Sequence, residues 1–293
     1  MAVATVIGGA GRMGAWFADF LRKNSYRIII SDKNDRHGRK IARQKRFRFI
    51  KDSRLAVQPA QLVVLATPTK ATRRILPKIE PHLSRGCLLV EISSIKEPVR
   101  AILQSMKKRG FAVLSIHPMF GPGIKNLTGK TIITTLLPSD KSAAEFISLF
   151  RKEGARIIRS DFDQHDRFVS FTLALPHFMN VAFVNALKNS GLTPNELRTV
   201  AGTTFKLQLL IAEMVYRENF GNEISILMDS QRSLETLNAF VRYSNRTLRM
   251  LGSEKTGDLL QDLRKGQRYV QKDLIFPGVN GRFNAAVEAS GAH

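Results

Sequence analysis

The sequence predicts a doubly wound α/β fold with a parallel sheet, followed by an all-α helical domain. Strand-like and helix-like runs alternate through about the first 160 residues, a pattern typical of parallel sheets with helices on both faces. From about residue 161 to 270 the pattern changes to long stretches of 3.6-residue periodicity. We therefore predict a first domain at residues 1–160, a helical domain at 161–276 and an irregular tail at 277–293.

The individual elements follow from apolar runs and the turn residues between them. Strands are predicted at 3–7, 27–31, 61–67, 87–92, 111–116, 131–137 and 155–159. Helices of the first domain are predicted at 15–21, 69–79, 97–109 and 141–153. In the second domain helices are predicted at 169–186, 194–217, 223–251 and 257–271, with Thr193 as N-cap of the second.

The first strand runs into the glycine pattern Gly9-Ala10-Gly11-Arg12-Met13-Gly14 and then directly into a helix. In this pattern Gly9 permits a tight turn, Gly11 lets the backbone approach a pyrophosphate, and Gly14 lets the helix pack close to the strand. The phosphates would lie at the helix N-terminus, where unpaired N–H groups favour negative charge. Arg12 and Met13 stand in that first turn. The pattern predicts a Rossmann-type dinucleotide site.

Asp32 follows the glycines by about twenty residues, at the end of the second predicted strand. A carboxylate there hydrogen-bonds the adenosine ribose, although the same residue could simply cap the following helix. Because a carboxylate repels a 2′-phosphate, Asp32 favours NAD. Nearby Lys33, Arg36 and Arg39 leave NADP possible.

Composition and charge narrow the class of protein. The net charge is +22, and residues 22–54 alone hold thirteen Lys or Arg against three acids. This basic segment either attracts a phosphorylated cofactor or is a solvated helix face. Because the sequence contains no nucleic-acid-binding motif, we do not expect a nucleic-acid partner. We expect no transmembrane helix, no signal peptide and a cytoplasmic location. The single cysteine, Cys87, lies in an apolar run and is expected to be buried.

Polar residues follow three successive strands, at the sheet edge where ligands of such folds bind. Thr67 and Pro68 follow the third strand, Ser94 and Lys96 the fourth, and His117 the fifth. His117 is the catalytic candidate, because imidazole can deprotonate a carbinol near neutral pH. A lone histidine at a strand end is more often structural, but the stiff loop that follows His117 and the neighbouring Ser94 and Lys96 favour catalysis. Ser94 could orient it, and Lys96 could bind an anionic substrate or only a surface carboxylate.

A second group of histidines lies at the predicted domain junction. His165 and Asp166 could form part of a site or cap a helix, and His177 follows a proline in an apolar helix. A buried imidazole there needs a polar partner, which a substrate could supply. The two histidines lack metal-ligand spacing, and no cysteine pair is present, so we expect no metal site.

Together these motifs resemble the prephenate/arogenate dehydrogenase family of tyrosine biosynthesis. The resemblance spans about the first 180 residues and continues more weakly beyond. It rests on the following segments: Gly9 to Gly14, Ser94-Ile95-Lys96, His117-Pro118-Met119-Phe120-Gly121-Pro122, His165-Asp166 and Leu175-Pro176-His177.

The resemblance implies NAD(P)-dependent oxidative decarboxylation of prephenate, a dicarboxylate, to 4-hydroxyphenylpyruvate. It implies that His117 is the catalytic histidine, that Ser94 bonds it and the substrate hydroxyl, and that His177 lines the substrate site. It also implies a homodimer formed through the helical domain.

The sequence departs from the family pattern at two places. Leu173-Ala174 stands where many members have Ser-His, and Leu210 stands where many have a carboxylate-binding arginine. Lys206, Arg217 and Arg232 are candidate replacements. Prephenate and arogenate therefore both remain as substrates. The alternatives are another two-domain Rossmann oxidoreductase, such as a β-hydroxyacid or deazaflavin-dependent enzyme, and a non-enzymatic nucleotide sensor or nucleic-acid binder.

Overall fold

A computed structural model describes residues 1–136, 141–217, 220–252 and 256–272, together with positions 281, 283, 285 and 286. The chain forms two compact units, Met1–Val169 with Ile224–Ser230, and Ser170–Glu223 with Gln231–His293. The first unit extends beyond the predicted boundary at 160 and includes a short piece of the helical region. Apart from the four single positions, the predicted irregular tail at 277–293 lies outside the described residues.

The first unit holds one eight-stranded sheet among its described residues. Its strands are β1 (Val3–Ile7), β2 (Arg27–Ser31), β3 (Arg48–Phe49), β4 (Leu62–Leu65), β5 (Leu88–Glu91), β6 (Ala112–Pro118), β7 (Thr131–Leu136) and β8 (Arg156–Arg159). They are ordered β3-β2-β1-β4-β5-β6-β7-β8. All neighbours are parallel except β6 and β7, which are antiparallel. The predicted fold class is confirmed, with one antiparallel pair and the short strand β3 as additions.

Helices cover both faces of this sheet. They are α1 (Arg12–Lys23), α2 (Asp35–Lys45), α3 (Ser53–Val57), α4 (Thr69–Ile79), α5 (Glu97–Lys108), α6 (Lys141–Lys152) and α7 (Phe162–Val169). One core layer packs α1, α2 and α6 on the sheet, with Phe17 and Phe150 at its centre. A second core layer packs α3, α4, α5 and α7, with Leu76 and Leu103 fully buried. Cys87 is buried in this second layer, and burial raises the pKa of its thiol to about 12.

The second unit is helical. After a π-helical turn at Ser170–Ala174 come α8 (Leu175–Lys188), α9 (Pro194–Thr199), α10 (Thr203–Arg217), α11 (Phe220–Met228), α12 (Gln231–Gly252) and α13 (Thr256–Lys272), of which α11 spans both units. The predicted N-cap is confirmed, since Thr193 and Glu196 form a reciprocal capping box. The predicted helix at 194–217 is broken between α9 and α10, where Gly202 disfavours helix. The predicted helix at 223–251 is likewise two helices, α11 and α12.

One continuous helical run, Phe162–Lys188, is apolar and long enough by composition to cross a membrane, with a mean hydropathy of 1.3 in its most apolar window. This corrects the expectation that no such stretch exists. Core helices of soluble proteins meet the same criterion. His165 and Asp166 lie near the start of this run, and their side chains are hydrogen-bonded inside the first unit, an arrangement that lipid could not replace.

Candidate functional site

The turn between β1 and α1 consists of residues 8–11, three of which are glycines and the fourth an alanine. Gly8 has a φ of 78°, a left-handed conformation that glycine adopts without strain. Gly8 therefore makes the tight turn that the sequence assigned to Gly9, and this corrects the prediction. A Cβ atom on Gly14 would collide with the carbonyl oxygen of Gly8, so only glycine allows α1 to pack directly against the turn.

The N-terminus of α1 presents backbone amides without a side-chain cap. Gly11 is the N-cap residue, and its extended backbone leads into Arg12 and Met13. The first turn of α1 contains no acidic residue. This helix end is therefore suited to a phosphate group, whose charge the helix dipole favours.

Asp32 lies beside the same turn. Its Oδ2 accepts a hydrogen bond from the Ala10 amide at 3.2 Å, and its Oδ1 accepts one from the Asn34 amide at 3.0 Å. The cap of α2 is Asn34, whose side chain accepts from the His37 amide, so Asp32 is not the helix cap. The carboxylate is thus fixed against the glycine turn, where the ribose hydroxyls of a dinucleotide would lie.

The end of β4 borders the glycine turn from the other side. A Cβ atom on Gly8 would meet the carbonyl of Ala66 and, at 2.8 Å, the Thr67 methyl group. The Thr67 hydroxyl hydrogen-bonds that of Thr72 at 2.7 Å, and Pro68 is the N-cap of α4. Thr67 and Pro68 therefore lie where the sequence placed them, at the mouth of the dinucleotide turn.

The end of β5 holds a buried ion pair that the sequence did not predict. Lys96 and Glu91 are both fully buried, with Nζ 2.8 Å from Oε2, and Lys96 Nζ also donates to the Ile116 carbonyl at 2.6 Å. Glu91 accepts further hydrogen bonds from the Ser93 amide and the Ser115 hydroxyl. Burial lowers the pKa of Lys96, and the charge of Glu91 opposes that shift. The predicted contact of Lys96 with substrate is corrected, because its ammonium group is held inside the first unit.

Ser94 is only half-buried. Its hydroxyl makes no hydrogen bond to His117 or to any other described residue. The neighbouring Ser93 is buried, and its hydroxyl lacks a partner in the same part of the chain. Glu91 and Ser93 were both missed by sequence reasoning. Glu91 had a usable signal, since it is a lone carboxylate ending an otherwise apolar strand.

His117 lies within β6 rather than in the following loop, because the strand continues to Pro118 and pairs His117 with Ile133 of β7. Its side chain is buried, and its Nδ1 lies 3.0 Å from Nε2 of His165. The Nδ1 atom of His165 in turn lies 2.7 Å from Oδ1 of Asp166. The structure therefore brings two predicted site residues, His117 and His165, into one buried chain with Asp166.

Asp166 connects this chain to the start of α5. Its Oδ1 accepts from the Lys96 amide at 3.1 Å, and its Oδ2 accepts from the Glu97 amide at 2.8 Å. Burial lowers the pKa of His117 well below 6.5, and the repulsion that a protonated His165 would exert and the charge of Lys96 act in the same direction. Burial also lowers the pKa of His165, against the opposing effect of Asp166. Both imidazoles are therefore neutral at neutral pH.

His165 was predicted to contact substrate, and the geometry corrects this. The residue is fully buried, and both ring nitrogens are already engaged, with His117 and Asp166. It can influence a reaction only through those neighbours.

The remaining candidates lie in the second unit. His177 is half-buried in the first turn of α8, and Lys206 is half-buried in α10. Arg217 and Arg232 lie in exposed ion pairs with Glu213 and Glu235. Leu210, at the expected arginine position, is 41% exposed. The roles of these residues in binding substrate remain predictions.

The fold and this site define a Rossmann-type nucleotide-binding protein with a buried histidine at the carboxyl edge of its sheet. Residues 17–159 match the family model "Prephenate dehydrogenase, nucleotide-binding domain", and residues 161–265 match "Prephenate dehydrogenase, dimerization domain". The chain belongs to the prephenate dehydrogenase family, as the resemblance predicted. The matched region begins after the glycine turn, which rests on its own sequence pattern and on the structure.

Individual relatives agree with this assignment. A probable arogenate/prephenate dehydrogenase of Methanocaldococcus jannaschii is 28% identical over 81% of this chain and 54% of its own length. The T-protein of Enterobacter agglomerans is 23% identical over 84% of this chain and 61% of its own length. This chain thus spans only part of these relatives.

Solved structures show the same fold. Prephenate dehydrogenase from Aquifex aeolicus, in complex with hydroxyphenyl propionate and NAD+, has a TM-score of 0.73 at 20% identity and covers 93% of this chain and 99% of its own. Synechocystis arogenate dehydrogenase has a TM-score of 0.67 at 19% identity with the same coverage.

Proposed function

We propose that this protein is an NAD-dependent prephenate dehydrogenase, which oxidises and decarboxylates prephenate to 4-hydroxyphenylpyruvate. The observation that carries the proposal is His117, a buried neutral imidazole at the edge of the sheet that also bears the glycine turn. Family membership supplies the reaction class.

The residues around the glycine turn fit a dinucleotide. A Cβ atom at Gly8 would collide with the Ala66 carbonyl and one at Gly14 with the Gly8 carbonyl, so only glycine at both positions allows this close turn. The uncapped amides of α1 suit the pyrophosphate. When bound, NAD+ supplies the hydride acceptor. Asp32 would hold the adenosine ribose, since its carboxylate is already oriented by the Ala10 and Asn34 amides.

The structure favours NAD over NADP at this position. A 2′-phosphate would have to lie against the carboxylate of Asp32. Of the nearby cations, Arg39 is paired with Asp35 at 3.0 Å and stacks on the Phe49 ring. Lys33 and Arg36 are left to compensate, and both are exposed.

His117 would act as the base. Its Nε2 makes no hydrogen bond within the described residues, so it can accept the proton of the ring hydroxyl as hydride leaves the same carbon. Loss of carbon dioxide from the ring carboxylate then leaves the electron pair of the broken carbon–carbon bond to complete the aromatic ring, and the resulting phenolate oxygen takes back the proton held by His117. The Ser94 hydroxyl also makes no hydrogen bond to any described residue. It would hydrogen-bond the substrate hydroxyl or orient the His117 imidazole.

We also propose His177 and Lys206 as candidate substrate contacts. Arogenate is the second candidate substrate, because Leu210 removes the expected arginine and relatives of both names match the chain. Prephenate and arogenate share the ring carbinol and ring carboxylate, so the chemistry at His117 is the same for both.

We also propose a homodimer formed through the helical region, and a cytoplasmic location. Residues 161–265 match a dimerization domain. Large apolar side chains are exposed on α10, α12 and α13: Ile211, Met214, Leu248, Leu251, Leu263 and Val270. So much exposed apolar surface is unusual for a monomer. Light scattering should give twice the chain mass.

The test is a steady-state assay that crosses prephenate and arogenate with NAD+ and NADP+, applied to the wild type, His117→Asn and a matched control, His82→Asn. His82 lies in a surface turn of the first unit. We expect His117→Asn to lower kcat by about 100- to 10,000-fold while still binding NAD+, and His82→Asn to be unaffected. Near-normal turnover by His117→Asn would overturn the proposal.

A further inference from the structure

The chain of Asp166, His165 and His117 has a fixed direction of hydrogen bonding. It is entirely within the first unit and is buried at every step, with side-chain exposures of 5% for Asp166 and 0% for His165. The two links are short, at 2.7 Å and 3.0 Å. A neutral imidazole carries one proton on one of its two ring nitrogens. The direction of the hydrogen bond between Asp166 and His165 therefore decides the direction of the hydrogen bond between His165 and His117.

The direction is set at Asp166. Its two oxygens accept from the backbone amides of Lys96 and Glu97, at the N-terminus of the twelve-residue helix α5. Backbone N–H groups can only donate, and a helix N-terminus favours the ionised carboxylate. An ionised carboxylate can only accept, so Nδ1 of His165 must donate to Oδ1 of Asp166.

The direction then passes to His117. A neutral His165 has one ring proton, and that proton is on Nδ1, which leaves Nε2 with a lone pair. The Nε2 atom of His165 lies 3.0 Å from Nδ1 of His117, so Nδ1 of His117 carries the proton and donates it. The lone pair of His117 is therefore on Nε2.

We propose that Asp166 and His165 are positioning residues that hold His117 in the one tautomer whose Nε2 can accept the substrate proton. This rests on the proposed function of His117 as the base. Catalytic triads use a buried carboxylate to fix the tautomer of a histidine base in the same manner, although there the carboxylate contacts the base directly. Here a second imidazole stands between them.

The arrangement also gives the base a partner once it is charged. When Nε2 takes the substrate proton, His117 carries a positive charge in a buried position, close to the ammonium of Lys96. The Nδ1–H of the imidazolium then donates to the lone pair of His165, and Asp166 stabilises the polarised His165 from the far side. Glu91, paired with Lys96, reduces the opposing charge.

Two conservative variants separate the tautomer effect from packing. In His165→Gln the amide reaches the position of the imidazole Nε2, so it keeps an acceptor for His117. In His165→Asn the amide reaches only the position of Nδ1, so it keeps the bond to Asp166 and loses the bond to His117. Both variants place a smaller polar side chain in the same buried site.

We expect His165→Asn to lower kcat by about 10- to 100-fold with KM changed less than about twofold, since only the reactive step uses the tautomer. We expect His165→Gln to stay within about threefold of the wild type. Equal losses in the two variants would show that His165 is needed only for packing. No loss in either would show that it does not affect the base. Both results would overturn the proposal.

A second measurement does not depend on turnover. In protein labelled with ¹⁵N-histidine, the His117 resonances are assigned by their loss in His117→Asn. We expect a pyridine-type shift at Nε2 and a pyrrole-type shift at Nδ1 in the wild type, and a mixture of tautomers in His165→Asn. A wild-type spectrum with the proton on Nε2 would refute the tautomer assignment even in an active enzyme. An inactive wild type with the expected spectrum would instead refute only the proposed function.

Discussion

Replacing Lys96 with methionine tests whether this lysine is structural or binds substrate. Methionine has a similar length and volume but no charge, so Lys96→Met removes the ammonium group with little change in packing. The change leaves the Glu91 carboxylate buried with the Ser93 amide and Ser115 hydroxyl as its remaining partners. It also removes the donor to the Ile116 carbonyl, which is buried in β6.

The expected cost follows from this burial. Both partners of the pair have 0% exposed side chains, and removing one partner of a buried ion pair costs about 3–5 kcal/mol, because the other charge is left uncompensated. For a unit of this size that free energy corresponds to a loss in Tm on the order of 10 °C. The double variant Glu91→Gln/Lys96→Met removes both charges and should be more stable than Lys96→Met alone.

Unfolding of the first unit can be followed selectively. The chain has a single tryptophan, Trp16, on α1, and its ring stacks on Phe20 with centroids 5.3 Å apart. Urea titration monitored by tryptophan fluorescence therefore reports the free energy of unfolding of this unit. Lys78→Met, at an exposed position in the last turn of α4, is the matched control and should change stability by less than about 0.5 kcal/mol.

A stable Lys96→Met protein would contradict a structural role for Lys96. If this variant lost less than about 1 kcal/mol and its KM for prephenate rose about tenfold or more, Lys96 would be a substrate-binding cation after all. If the double variant lost as much as the sum of the two single variants, Glu91 and Lys96 would not be coupled.

Four further predictions concern His117 and the glycine turn. Because burial holds the pKa of His117 well below 6.5, kcat/KM should stay level on lowering the pH through 6.5 and fall only beyond it; a midpoint at or above 6.5 would contradict this assignment. Because the pKa of His117 is lower in the folded than in the unfolded chain, the unfolded chain takes up this proton at a higher pH. The free energy of unfolding should therefore be at its highest above pH 6.5 and decrease below it, as urea titrations at several pH values would show. Gly14→Ala should weaken NAD+ binding at least about tenfold in calorimetry, since its Cβ would displace the Gly8 carbonyl. The control Gly257→Ala, at a position with open space around it, should bind NAD+ normally. Equal affinities in the two variants would contradict NAD+ binding at the glycine turn. Asp32→Asn should raise KM for NAD+ about tenfold and improve use of NADP+, and an unchanged ratio of the two cofactors would show that Asp32 does not select between them.

Local patterns in the sequence predicted most of the first unit correctly. The predicted helix 69–79 coincides with α4, and five later predicted strands lie over β4 to β8 within a few residues. These elements have strong apolar periodicity and clear turn residues at their ends. The boundary at His117 was wrong because β6 is extended by pairing with β7, a contact between residues far apart in the chain.

The buried partners could not be predicted by the same means. Lys96 was assigned to substrate because it follows a strand at the ligand-binding edge of the sheet, and His165 because it lies in a group of histidines at the predicted domain junction. The structure instead buries both and gives them partners from distant segments: Lys96 bonds the carbonyl of Ile116, and His165 bonds His117. Such pairs leave no periodic signal, since each partner is set by a different strand or helix.

The sequence by itself determined the fold class, the dinucleotide turn and the identity of the candidate base, because glycine spacing and apolar periodicity act over a few neighbouring residues. The tertiary structure decided what those residues are bonded to. It moved the tight turn to Gly8, placed Lys96 in an ion pair, and arranged Asp166 and His165 behind His117. The physical reason is that burial fixes protonation and hydrogen-bond direction, and burial depends on which segments the sheet brings together.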